Sequence, residues 1–139
     1  MGSTPECRGA WRSWITALAA LAIYAFPHAA LADPCEARVT GYKPGQSVAG
    51  TVRYVVDGDG LCIGPGADPK TWTEIRLADF YAPELLGAGG RDAKAALERL
   101  TSGKRLVCTA TRGTGGRTYS YDRLIAVCTI DGQSLANSL

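Results

Sequence analysis

Histidine occurs once in the sequence, at His28, inside an N-terminal stretch that reads as a leader to be removed. Residues 1 to 32 carry Arg8 and Arg12, then an apolar run from Trp14 to Phe26, then Ala30-Leu31-Ala32, the small-x-small pattern that a signal peptidase cuts. Cleavage is expected after Ala32. The apolar run is shorter than the roughly 20 residues that span a bilayer, so no membrane attachment is expected once the leader is gone. The chain from Asp33 onward has no histidine. That excludes serine or cysteine catalysis built on an imidazole base, and any zinc site with a histidine ligand.

Other shortages narrow the field further. No C-x-x-C pair occurs, which argues against a four-cysteine zinc site. Charge is nearly balanced: with the leader removed, Lys plus Arg falls from 15 to 13 and Asp plus Glu from 13 to 12, so the formal net charge drops from +2 to +1. Such a chain attracts nucleic acid weakly as a whole, and any anion site has to be local. Repeats and low-complexity segments are also absent.

Of the five cysteines, Cys7 leaves with the leader, while Cys35, Cys62, Cys108 and Cys128 stay. An even count in a small exported domain reads as two disulfides and a secreted or periplasmic location. Four cysteines allow three connectivities. Cys108 with Cys128 is favoured, because RLVCTAT and RLIAVCTI are strand-like runs whose hairpin pairing sets the two opposite one another. Cys35 with Cys62 then follows by elimination.

Residues 33 to 50 are rich in Gly and Pro and are expected to be an extended N-terminal segment pinned by Cys35. From Thr51 to Leu139 the pattern is that of one domain. TVRYVV and LCI are short apolar runs separated by Asp-Gly-Asp-Gly, a hairpin signal. WTEIRLADF alternates Trp72, Glu74, Arg76 and Ala78 with Thr73, Ile75, Leu77 and Asp79. After Pro83 the period changes: Ala93, Ala96, Leu97 and Leu100 fall at i, i+3, i+4 and i+7, an amphipathic helix that Gly103 ends. Two more strands follow, then an Asp131-Gly132 turn, and SLANSL reads as the start of a second helix. The order of three strands, helix, two strands and an incomplete C-terminal helix predicts a mainly β protein, a five-stranded barrel of the OB type.

On these elements the polar residues gather at strand ends: Asp57 and Asp59, then Arg76 to Glu84, then Arg123. Two arginines and several carboxylates at one mouth of a barrel suit phosphodiester hydrolysis. The planar arginine fork matches two phosphate oxygens and stays charged. Carboxylates orient a water or hold a hard cation.

VVDGDGLCI, then RLADFYAPE with a helix behind it, then SYDRLIAVCTIDG, resemble in order and spacing the three signatures of the staphylococcal-nuclease (thermonuclease-like) family. The resemblance covers Thr51 to Leu139 and implies an OB-type barrel that cleaves DNA or RNA with calcium, expected here to act as a monomer. It implies that Asp59 is a calcium ligand, that Arg76 and Arg123 grip the phosphate, and that Glu84 is the general base. Tyr121 matches an aromatic lining the nucleotide site, and Ala82 a residue offering the ion its backbone carbonyl. Tyr81 stands where the family pattern has an aspartate, the second ligand. A neutral phenol is a poor ligand for a hard cation, so Asp79, two residues earlier, is its candidate replacement and Tyr81 itself a candidate substrate contact. Family members also continue in helical segments past the point matching Leu139. The alternative expectation is an OB-type module that binds nucleic acid or phosphate and cuts weakly or not at all.

Overall fold

The computed structural model describes Gly2 and residues 33–139, and the expected leader and its cleavage site lie outside the described residues. Alternating apolar residues set the strands. In β4 (Arg105–Ala110) Leu106, Cys108 and Ala110 are buried, and in β6 (Arg123–Ile130) Leu124, Ala126, Cys128 and Ile130 are, with their neighbours turned outward. The other strands are β1 (Ser47–Val55), β2 (Gly60–Gly64), β3 (Thr73–Leu77), β5 (Tyr119–Ser120) and β7 (Gln133–Ser134), and the helix is α1 (Gly90–Thr101).

The sheet runs β3-β2-β1-β4-β6 and closes where β3 pairs with β6, giving a five-stranded barrel; β5 and β7 add short pairings to β6. All neighbours are antiparallel except β3 and β6, which run parallel with Ile75 opposite Leu124, Arg76 opposite Ile125 and Leu77 opposite Ala126. The β3–β6 pairing joins the two edges of the five-stranded sheet, the arrangement of an OB-type barrel. Leu61, Ile63, Ile75, Leu77, Leu97, Leu106 and Leu124 fill it, each at most 1% exposed.

α1 packs against β1 and sends Leu97 into the core. Gly103, with φ +70, sits in the left-handed conformation that ends a helix. Asp131 and Gly132 both have positive φ, as the expected tight turn into β7 requires. The helical start expected in SLANSL takes the form of a 3-10 turn at Ala136–Ser138.

Both disulfides form as expected. Cys108 and Cys128 face one another across β4 and β6, and Cys35 joins Cys62. The second bond straps residues 33–39 over the outer side of β2 and β3, where the Glu36 and Ala37 amides donate to Pro69 O at 3.1 Å and Trp72 O at 3.0 Å. Val39 continues into the core at 2% exposure. Two disulfides place the folded chain in an oxidising compartment. Replacing Cys35 and Cys62 together by serine is expected to lower stability by about 3 kcal/mol, seen as a lower thermal midpoint, because the bond closes a loop with a sequence separation of 27.

Candidate active site at the DGDG turn

β1 and β2 are joined by residues 56–59, a turn closed by the Val56 amide donating to Gly60 O at 2.8 Å. Asp57 Oδ1 accepts from the Asp59 amide at 3.1 Å, an Asx-type turn. Gly58 is needed for space rather than for φ. A Cβ there would lie 2.5 Å from Ala82 Cβ and 2.6 Å from Ala93 Cβ, so the turn is pressed between the Ala-Pro-Glu loop and α1. Gly58→Ala is therefore expected to destabilise by about 1–3 kcal/mol, measured by denaturant unfolding, and to disturb the site beside it.

This packing buries Asp59 to 6% exposure. Its Oδ2 forms an ion pair with Arg76 Nη1 and accepts from the Ala82 amide at 3.0 Å. Its carbonyl accepts from the Leu77 amide at 2.8 Å, which ties the turn to the end of β3. Burial raises the Asp59 pKa above its ordinary value; the Ala82 amide and the Arg76 charge pull it back, while the neighbouring Asp57 carboxylate pushes it up again.

Arg76 also donates to Leu77 O at 3.4 Å, and its guanidinium lies 5.7 Å from the centre of the Tyr81 ring. This is a cation–π contact. The parallel register puts Arg76 beside Ile125, and Arg123, two residues from Ile125, falls on the same outward sheet face. The two arginines expected to serve one phosphate therefore share a face of adjacent strands.

Arg76 borders an open cleft of about 430 Å³ with Ala78, Gly113, Arg117, Tyr119 and Ile125. Arg117 lies over the Tyr119 ring at 5.2 Å. Arg117 and Tyr119 were not among the residues expected from the sequence. Their one signal is a basic-aromatic pair in the Gly-rich loop RGTGGRTYSYD.

Glu84 is exposed in the loop before α1, and its carbonyl accepts from the Gly87 amide at 2.8 Å. A Cβ on Gly90 would fall 1.9 Å from that carbonyl, so the glycine opening α1 lets the loop close on the helix. Asp79 is exposed. Tyr121 is 86% exposed with φ +57, unusual for a side chain of its size, and borders a separate hollow with Asp122 and residues 35–40.

A second acidic group was not anticipated. Glu74 on β3, 3% exposed, Asp33 and Asp122 bring carboxylate oxygens within 4.8 Å of one another. Burial pushes the Glu74 carboxyl up to about 8, repulsion by Asp33 and Asp122 adds to this, and Arg123 opposes it.

As a cation site, the DGDG turn offers two neighbouring carboxylates, Asp57 and Asp59, with Asp59 Oδ2 already engaged. Among the described residues the groupings of three potential ligands lie elsewhere and leave out Asp59, Asp79 and Glu84. Two carboxylates fit a hard cation that takes most of its ligands from water and substrate phosphate, rather than an all-protein cage. The expected carbonyl ligand, Ala82, meets Asp59 through its amide.

Comparison with models of known protein families finds no match for the chain, and comparison with characterised proteins finds none either. The fold and site together define an OB-type barrel in which buried Asp59 pairs with partly exposed Arg76 at the edge of a cleft.

Proposed function

We propose that the protein is an exported phosphodiesterase of the thermonuclease-like kind, hydrolysing DNA or RNA at the cleft beside Arg76. The observation that carries the reading is the placement of Arg76. Asp59 anchors its guanidinium from behind, the side chain keeps 24% exposure toward the cleft, and the register sets Arg123 on the same face.

In this mechanism Arg76 and Arg123 hold the phosphate and offset the charge that grows in the transition state. Glu84, on the exposed loop that follows Ala82, orients the attacking water. A divalent cation held by Asp59 and Asp57, calcium by family resemblance, would add charge neutralisation and a polarised water. Asp59 positions Arg76, and the Ala82 amide holds Asp59. An exported protein delivered by a cleaved leader completes the proposal.

Glu84→Ala is expected to lower cleavage of a labelled oligonucleotide by about 10²–10⁴-fold while its gel retardation stays unchanged. An unchanged cleavage rate would reject Glu84 as the base.

A second reading, a module that binds nucleic acid without cutting it, draws on Tyr81. Its ring is 79% exposed beside the Arg76 guanidinium, a surface on which a base can stack. Such a module retards a labelled strand intact, with strong salt dependence.

A further inference from the structure

The Asp33, Glu74 and Asp122 carboxylates lie away from the DGDG turn and take no part in the proposed chemistry. They come from three separate pieces of the chain: the strapped N-terminal segment, the outer side of β3, and the turn between β5 and β6. Register places Glu74 beside Cys62, and the Cys35–Cys62 bond draws Asp33 over it. Glu74 is therefore 3% exposed, and its Oε2 has no hydrogen-bond partner. A buried carboxylate oxygen facing two further carboxylates is costly unless something cationic completes the group.

Arg123 is near enough to attract Glu74, yet among the described residues the ion pairs are Arg76 with Asp59 and Lys94 with Glu98, and none reaches these three acids. Cys35 and Cys62, which adjoin Asp33, are bonded to one another and are not ligands. The acids supply hard oxygen donors alone.

We propose that Asp33, Glu74 and Asp122 form a binding site for a hard divalent cation of calcium's size, which pins the N-terminal segment and the β5–β6 turn to β3. The spacing admits an ion of that size. Ligands at about 2.3–2.6 Å from an ion stand at most about 5 Å apart across it, and the three carboxylate oxygens all lie within 4.8 Å of one another. Access is open on one side, because Asp122 is exposed and borders the hollow of about 280 Å³ shared with Tyr121 and residues 35–40. Water entering there fills the remaining coordination positions. The ion is structural: no residue of the Arg76 cleft belongs to the group, and the site stands whether or not the protein is a nuclease.

The test titrates calcium chloride into the oxidised full chain, following heat and the thermal midpoint, in the wild type, in Asp59→Asn, which removes the ligand proposed at the DGDG turn, and in Asp59→Asn combined with Glu74→Gln or with Asp122→Asn. The expected result is a midpoint that rises with calcium in the wild type and in Asp59→Asn. In the two combined variants the apparent Kd is expected to weaken about tenfold or more relative to Asp59→Asn, since a ligand contributes at least as much as the outer-shell partners whose loss costs that amount. Asp122 is exposed, so its asparagine variant folds normally and keeps the test decisive. A folded wild type that neither binds calcium nor gains stability from it would overturn the proposal. So would binding in Asp59→Asn that adding Asp122→Asn leaves intact, or binding that Asp59→Asn by itself removes.

Discussion

Arg76→Lys is expected to lower phosphodiester cleavage by about 10²–10³-fold with the barrel intact, the loss that follows removal of one preorganised donor to a developing anion. Lysine keeps the positive charge beside Asp59, which is 6% exposed and would otherwise sit as an unpaired carboxylate. It lacks the planar fork that meets Asp59 on one side and, in the proposed mechanism, two phosphate oxygens on the other. Alanine is the poorer probe. Removing one partner of a buried ion pair costs about 3–5 kcal/mol, so a dead Arg76→Ala enzyme would mix lost chemistry with lost structure. Comparing kcat and thermal midpoint for the lysine variant separates the two. A lysine variant as active as the wild type would remove Arg76 from the phosphate site.

Glu74→Gln is expected to flatten the pH dependence of stability in the presence of a chelator. The Glu74 carboxyl is held up to about 8 by burial first, then by Asp33 and Asp122, against an ordinary value of 4.5. The folded state thus favours the neutral acid while the unfolded chain ionises at the lower pH. The stability it contributes is fully present below pH 4.5 and is lost as pH rises toward 8, with an upper bound on the order of 5 kcal/mol. Glutamine is neutral throughout and fits the same space. Denaturant midpoints at pH 5 and pH 8 check this: the wild type falls between them by more than the variant. Equal falls would mean that Glu74 carries no pH-dependent burden.

The barrel was legible in the sequence because its strands repeat with a period of two beside a helix with a period near 3.6, and Leu106, Cys108, Leu124 and Cys128 all point inward as that pattern requires. The Cys108–Cys128 bond was legible for the same reason, since a hairpin register fixes which residues face one another. The beginning of β1 at Ser47 was not. Residues 33–50 are broken by Gly and Pro, and only pairing with β4, Ser47 opposite Thr109, makes a strand of the last few.

The site was half legible. Asp59 and Arg76 stand in short ordered motifs, and the structure joins them in an ion pair. Glu74 shows where periodicity stops: in WTEIRLADF the alternation separates two faces but does not say that a remote segment, tied down by Cys35, covers the outer one. Arg117 reaches the cleft by way of a Gly-rich loop whose path no local pattern encodes. Tyr121, expected at the nucleotide site, borders another hollow because its backbone turns through φ +57 before β6 begins.

Arg76, Glu84 and Arg123 are proposed to act together in cutting a phosphodiester bond. The most direct measurement incubates end-labelled single-stranded DNA and RNA with the oxidised protein in calcium, in magnesium and in a chelator, beside Arg76→Lys and Glu84→Ala. Shortened fragments that require a divalent cation and vanish in both variants are the expected result. Full-length strands left intact by a folded protein under every ion would contradict the claim.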